Sequence, residues 1–496
     1  MTHSLGLDLG TQGLKALLLD AESSQVVARA SVSYELLPGL PAGCAEQDPL
    51  QWRRALAEVL QKLHASSGVS PSQIVAVGVS GQQHGAVALD AAGDAVRAAK
   101  LWCDTSTSEE AAELSAAFGR QVPTGFSASK WLWMARQEPE NWARCTRLLL
   151  PHDYLNLLLT GEAAMEAGDA SGTGVFDIQE RRFDSASLAA FDELACTQPG
   201  AASLASRLPR LMDPTQPQAA LGRVHSSAAA EFGLPEGALV SAGGGDNMMS
   251  AIGSGATRPG VVSLSLGTSG TVFAHSDSPI QDPEGLIAGF CGSSGGWLPL
   301  LCVMNLTGVL EEVRQGFGGT HGALTEAARR VNPGCDGLLW VPYLNGERVP
   351  DLPQARGSLH GMGPGHLRAG TLYRAALEGT SLNLAWGFER LRALGIEAEE
   401  LRLVGGAARN PLWREILAAC FGLPVVPLVE PESAALGAAL QALWCWTSEA
   451  GQTTSLEQLS EPCIQPGEAA CHPDPQWVEH YAGLQGRFRR LAMQSD

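Results

Sequence analysis

Gly6–Lys15 reads GLDLGTQGLK and Ser263–Val272 reads SLSLGTSGTV. Both run strand, Leu-Gly-Thr, one residue, Gly, strand, with Gly10 and Gly267 about half the chain apart. Two short apolar strands around a glycine turn make a hairpin. A hairpin that recurs once per half-chain indicates two similar domains, each opening with one. The division is expected between Gly245 and Pro259, as residues 1–248 and 249–496. Outward from the hairpins, apolar and β-branched segments alternate with segments of helical period, the pattern of α/β layers. The stretch QDPLQWRRALAEVLQKLH predicts a helix capped by Asp48, with Pro49 at its first position and Trp52, Leu56, Val59, Leu60 and Leu63 on one face. Near the other end, LRLVGG predicts a strand, Asn410 and Pro411 open a helix, and PVVPLV is the next strand.

The totals exclude several classes of function. At 496 residues the chain is long for one core, and the hydrophobic share of 45% with 17% charged residues is that of a globular protein. The net charge of −19 repels nucleic acid. An anionic ligand must therefore be held by local N–H groups and a cation, since the overall field opposes it. Eleven scattered cysteines with no CxxC pair signal neither disulfides nor zinc. The N-terminus lacks the features of a signal peptide, and no run of about 18 apolar residues occurs, so a cytoplasmic protein without a membrane partner is expected.

A Leu-Gly-Thr-x-Gly turn presents backbone N–H groups and a hydroxyl with little side chain in the way, which suits a phosphate oxygen. Two such turns can grip the β and γ phosphates of one nucleotide. There is no GxxxxGK[ST], no strand–GxGxxG–helix unit and no protein-kinase set. On the first strand Asp8 points opposite to its flanking leucines. A carboxylate facing phosphates becomes sensible when it holds Mg²⁺.

The stretch AGGGDN places Asp246 and Asn247 after three glycines, a turn bare enough to admit a ligand. Asp246 then suits a base that takes the proton of an attacking hydroxyl, or a cap for the helix that follows. Gly405, Gly406, Ala407 and Ala408, ahead of Asn410, border a recess suited to a nucleobase. At the end of the strand Ile74–Ser80, Gln82, Gln83 and His84 offer amides and an imidazole for a polyhydroxylated ligand, and Trp102 with Asp104 adds a platform and a carboxylate.

Together these motifs resemble the FGGY family of carbohydrate kinases, in the superfamily that also holds actin and heat-shock chaperones. The resemblance runs nearly the full length and includes VPYLNGERVPDLPQARGSLHG, similar to the family's own signature. It implies two duplicated ribonuclease-H-like (actin-like ATPase) α/β domains with a cleft between them, and a homodimer. Within the family, CAEQDPLQW, VSGQQHGAV, LWCDTS, PHDYLNLLLTG and AGGGDN are most similar to the xylulokinase branch; the segment GQQHGA argues against glycerol as acceptor. The resemblance implies ATP-dependent phosphorylation of D-xylulose with Mg²⁺, Asp246 as catalytic base and Asp8 as the magnesium-side carboxylate. It implies that Gln83, His84, Asp246 and Asn247 hold the ketose, beside Trp102 and Asp104. On the nucleotide side it implies Gly10, Thr11, Gln12 and Lys15, then Gly267, Thr268 and Ser269, then Gly405, Gly406, Ala407 and Asn410. Gln83 and Ser106 are departures, since bacterial xylulokinases often carry Met and Arg there. Rival acceptors are ribulose, fuculose or another polyol, and the rival outside the class is an actin-like assembly ATPase.

Overall fold

The computed structural model describes residues 2–195 and 202–494. The chain forms two compact units. The first comprises Met1–Gly255, Phe290–Leu298 and Ser433–Cys463, and the second Ala256–Gly289, Pro299–Glu432 and Ile464–Asp496. A single cut after residue 248 does not separate them, because two later segments of chain return to the first unit.

In the first unit, strands β1 (His3–Leu9), β2 (Gly13–Asp20) and β3 (Gln25–Ser33) form an antiparallel meander. Strand β4 (Ile74–Gly81) lies parallel to β1, so that Asp8 stands opposite Ser80. Beyond β4 the sheet ends in an edge strand β5 (Ala220–Arg223), with β6 (Leu239–Ser241) between it and β4, and β7 (Gly244–Gly245) also pairs with β4. Leu5, Leu7 and Leu9 are fully buried on one face of β1, which turns Asp8 to the other. The expected helix spans Pro49–Ser67, capped by the Asp48 side chain and closed by Gly68 in the left-handed region, with Trp52, Leu56, Val59, Leu60 and Leu63 buried.

The opposite face of the sheet is covered by the helix Ser433–Glu449, which arrives from near the end of the sequence. It comes so close that a Cβ on Gly6 would stand 1.9 Å from the Ala435 carbonyl oxygen, and one on Gly78 2.0 Å from that of Ala438. The same helix crosses the helix Asp246–Ser254 through Gly437 and Gly253, with no room for a methyl group on either. Glycines here are contact surfaces, and apolar burial at backbone distance is their contribution.

The second unit repeats the plan. Strands β8 (Gly260–Leu266), β9 (Gly270–Ala274) and β10 (Leu300–Val303) form the meander, and β11 (Ala398–Val404) and β12 (Val425–Pro427) follow in parallel on the β8 side. The strand order matches that of the first unit's β3-β2-β1-β4-β6, so the duplication read from the hairpins is a duplication of topology. The helices Ala369–Ala393, Pro411–Phe421 and Pro475–Ala492 pack around one core that includes Trp413, Tyr373, Phe388 and Tyr481.

Candidate active site

In the first unit the parallel strands bring the acidic groups together. Asp8 near the end of β1 accepts a hydrogen bond from Ser80 Oγ at 2.9 Å, and Gly244 of β7 pairs with the same Ser80 from the other side. Two residues beyond Gly244 stands Asp246, at the carboxyl ends of these strands, where open α/β sheets hold ligands. Asp246 is half-buried and opens its helix with Gly245 at the cap position, so it is the first helical residue and not the cap. Its Oδ1 accepts from the backbone N–H of Asn247 at 2.9 Å and from Asn247 Nδ2 at 3.1 Å. Asn247 Nδ2 also donates to Gln83 Oε1 at 2.9 Å. Burial pushes the Asp246 carboxyl up to about 8, helped by the negative charges of Asp8 and Asp169. Such a group is a far stronger base than an ordinary aspartate once it is deprotonated.

The three glycines before Asp246 make room for the protein's own side chains, where a ligand was expected. A Cβ on Gly243, whose φ is +73°, would meet the Val79 carbonyl, Asn156 and His152. On Gly244 it would meet Ser293 Oγ and the Met249 methyl, and on Gly245 it would stand 2.7 Å from Gln83 Cγ and 3.1 Å from Asp169 Oδ1. Bare backbone thus lets a ring of polar side chains close around the turn that carries Asp246.

His84 has φ +65° and its ring lies against Phe126 and Phe290, at centroid distances of 4.8 and 6.0 Å. The loop that carries Phe126 is held by Lys130, a fully buried ammonium donating to the carbonyls of Thr124, Gly125 and Phe126. Burial lowers that ammonium to about 7.

Two further expected sugar contacts have their polar atoms engaged within the protein. Trp102 Nε1 donates to Thr11 Oγ1 at 3.0 Å, so its polar end serves the first hairpin. Asp104 is fully buried, with Oδ2 accepting from the Ala45 N–H and Lys100 Nζ and Oδ1 from Ser106 N and Oγ. Four donors leave that carboxylate no open side, and the same network holds Ser106 beside Lys100.

The first hairpin is tied down on all sides. The Gly10 carbonyl accepts from Tyr34 OH, the Thr11 carbonyl from Gln47 Nε2, and Thr11 Oγ1 donates to Gln82 Oε1 at 2.8 Å. Because the Thr11 hydroxyl proton is committed, what the turn can offer a phosphate is backbone N–H. Gln12 at its tip is exposed, and Lys15 on β2 stands opposite Asp8.

In the second unit Gly267 and Thr268 are exposed at the turn between β8 and β9, with Ser269 partly covered. Leu306 N donates to the Thr268 carbonyl, and Thr307 donates to that of Gly267 through both N and Oγ1. A cavity of about 440 Å³ in this unit is lined by Thr307, Leu310, Tyr373, Gly406, Ala407 and Asn410, among others. Asn410 caps the helix Pro411–Phe421 through Oδ1 and donates from Nδ2 to Thr325 Oγ1. The structure therefore gathers Gly406, Ala407 and Asn410 around one opening, with Gly405 behind them against the Leu266 backbone. Its walls combine Leu310, Ala407 and Pro411 with the polar groups of His321, Thr325 and Asn410, a mixture that suits a small molecule.

Residues 3–253 match the N-terminal domain of the FGGY family of carbohydrate kinases, and residues 262–446 match its C-terminal domain. The chain belongs to this family. It is 36% identical over 499 residues to the xylulose kinase of Haemophilus influenzae, covering 98% of each chain, and 33% identical over 501 residues to that of Escherichia coli, covering 99% and 98%. A solved structure of xylulose kinase from Rhodospirillum rubrum superposes with a TM-score of 0.86 at 28% identity, covering 99% and 98%. This FGGY kinase accordingly has the family's two-domain actin-like ATPase fold and phosphorylates a sugar with ATP. Among the described residues no helix is long and apolar enough to cross a membrane.

Sequence reading missed a buried polar cluster behind the turn of Asp246. His152 Nδ1 lies 2.7 Å from Asp169 Oδ2 and its Nε2 lies 3.0 Å from Asp153, while Glu166 accepts from the N–H groups of Gly168 and Asp169. Burial opposes the charged imidazole, but the surrounding carboxylates outweigh it and raise His152 to about 9. PHDYL and GDASGT lie only 17 residues apart at His152 and Asp169, but no local pattern says that they meet, and only the adjacent His and Asp of the former hinted at a charged interior.

Proposed function

We propose that this chain transfers the γ-phosphoryl group of MgATP to the 5-hydroxyl of D-xylulose, giving D-xylulose 5-phosphate and ADP. The observation that carries the reading is the state of Asp246, a half-buried carboxyl at the strand ends, anchored through Asn247 to Gln83 and pushed up to about 8 beside Asp8. In this reading Asp246 removes the proton of the attacking hydroxyl, a step typically worth about 10²–10⁴ in rate. Gln83, His84 and Asn247 orient the ketose. Gly267, Thr268 and Ser269 in the second unit, and the backbone of Gly10, Thr11 and Gln12 in the first, each offer donors to phosphate oxygens. The adenosine occupies the cavity edged by Gly406, Ala407 and Asn410.

Asp8 fits a magnesium-side role. Among the described residues no group of three metal-binding side chains exists, and Mg²⁺ characteristically takes one or two carboxylates, several waters and substrate phosphates. Bound there, the ion neutralises charge on the transferring phosphates. Closure that excludes water, with sugar binding driving it, keeps the phosphoryl group from hydrolysis. The xylulose kinases among its relatives support the choice of ketose.

The test is ADP release with MgATP against D-xylulose, D-ribulose, L-ribulose, L-fuculose and glycerol, with a no-sugar control. A strong preference for D-xylulose is expected. Preference for another ketose would keep the mechanism and move the substrate, and ADP release that needs no sugar would favour an assembly ATPase.

A further inference from the structure

The stretch Leu344–Pro353, LNGERVPDLP, contains a carboxylate that none of the groups above uses. Glu347 is 2% exposed in the second unit. Its Oε1 accepts from the backbone N–H of Met304 at 2.7 Å and of Arg348 at 2.8 Å, and its Oε2 from Asn305 Nδ2 at 3.0 Å and Asn383 Nδ2 at 3.4 Å. Burial raises this carboxyl while the donors lower it. Asn305 is pinned a second time, Nδ2 donating to the Gly346 carbonyl at 2.6 Å and Oδ1 accepting from Leu344 N at 3.0 Å. Charge-assisted bonds from a buried carboxylate are strong, and leaving one unmade is costly, so these residues have one arrangement.

Met304 and Asn305 run directly into Leu306 and Thr307. Leu306 N donates to the Thr268 carbonyl at 3.2 Å, and Thr307 donates to the Gly267 carbonyl from N at 3.2 Å and from Oγ1 at 2.8 Å. Four consecutive residues are thus held by Glu347 at one end and hold the second Leu-Gly-Thr turn at the other. Peptide planarity makes the consequence directional. With the carbonyls of Gly267 and Thr268 fixed toward Thr307 and Leu306, the N–H groups of Thr268 and Ser269 point away from them.

We propose that Glu347 is a positioning residue for the nucleotide's phosphates, acting through Met304–Thr307 to aim the donors of the Gly267–Ser269 turn. The inference rests on the reading of that turn as a phosphate contact. It gives part of the family-signature stretch a physical task without requiring that it touch a substrate.

The experiment compares E347Q, T307V and T268V in the full chain. Gln is the same size but turns an NH₂ against groups that themselves donate. E347Q is expected to lower kcat/KM for ATP about 10²-fold, as small misplacement of reacting groups does, with competitive inhibition by adenosine unchanged and KM for the sugar within about twofold. T307V is expected to act in the same direction by about tenfold, and it carries the test where E347Q yields no folded protein. Equal losses for ATP and sugar, loss of adenosine inhibition together with ATP, or unchanged ATP kinetics in both E347Q and T307V would overturn the proposal. T268V separates the layers: it removes the Thr268 hydroxyl and keeps the N–H groups, so intact ATP kinetics there beside losses in E347Q and T307V leave the backbone donors as the phosphate contact and Glu347 in its role. If T268V weakens ATP while the other two do not, only the role of Glu347 falls.

Discussion

The hairpin at Gly10–Gly13 and the hairpin at Gly267–Ser269 share Leu-Gly-Thr, yet they are held in different ways. The first is gripped by the side chains of Tyr34, Gln47, Gln82 and Trp102, and its threonine hydroxyl is spent on Gln82. The second is held by its carbonyls, through Leu306 and Thr307, and by a bond from Gly267 N to the Ser269 carbonyl, and its threonine is exposed. Four residues separate the paired Leu9 and Leu14 in the first turn, and three separate Leu266 and Gly270 in the second. The position of Asp8 in the first motif is Ser265 in the second. Backbone topology was kept in both units, while the strand carboxylate of the motif stands in the first and a serine takes its place in the second. In the function proposed above, this difference puts the acid–base and metal work in the first unit and leaves neutral donors for the nucleotide in the second.

The largest expected effect breaks the comparison on its acidic side. Asp246→Asn should lower kcat by at least about 10²-fold while binding of ADP, followed by calorimetry, stays near that of the native protein. Retained turnover would return Asp246 to a purely structural position. Next comes the helix that completes the acidic unit. Gly437→Ala puts a methyl group where the Met249 carbonyl oxygen already lies, and denaturant melts should show a loss of about 3 kcal/mol.

Parallel threonine substitutions sharpen the contrast between the turns. Thr11→Val strands Gln82 Oε1 and the Trp102 N–H and should cost about 1–3 kcal/mol of stability. Thr268→Val, at an exposed position, should leave the melting curve unchanged and raise KM for ATP. Equal behaviour of the two would erase the distinction. The smallest effect is electrostatic. In the proposed mechanism Asp246 acts deprotonated, and its carboxyl is raised to about 8, partly by the charge on Asp8, so kcat/KM for the sugar should fall as pH drops through that value. Asp8→Asn removes a negative charge, lowers the Asp246 pKa and should move this acid limb to lower pH. A limb that stays in place would uncouple the two residues.

The hairpins, Asp8, Asp246 and the Asn410 cap were legible because each is written in a few consecutive residues whose local geometry determines their exposure. Glycine, leucine and threonine at fixed spacing specify a turn wherever they occur. The environment of Asp104 was not legible, since a carboxylate beside a tryptophan reads the same whether it faces a ligand or Lys100. Nor was the reason for Gly243–Gly245, which lies in His152, Asp169 and Ser293, brought in from three other parts of the chain. Phe290 at His84 is likewise a long-range contact. Local pattern states what a segment can do, and packing decides which neighbour it meets.

The helix Ser433–Glu449 bears on how the protein is made. During synthesis the sheet of the first unit is finished by about residue 245, but the helix that seals its face emerges only after nearly two hundred further residues. Until then the face that carries Gly6, Gly78, Leu17 and Ala76 is uncovered, the kind of transiently exposed surface that chaperones and proteases recognise. A gene cut at residue 248 encodes an acceptor unit lacking its own cover, and one ending after Val429 lacks it equally. Supplying Ser433–Cys463 as a separate peptide or as a graft onto the N-terminal half is the way to obtain that unit alone.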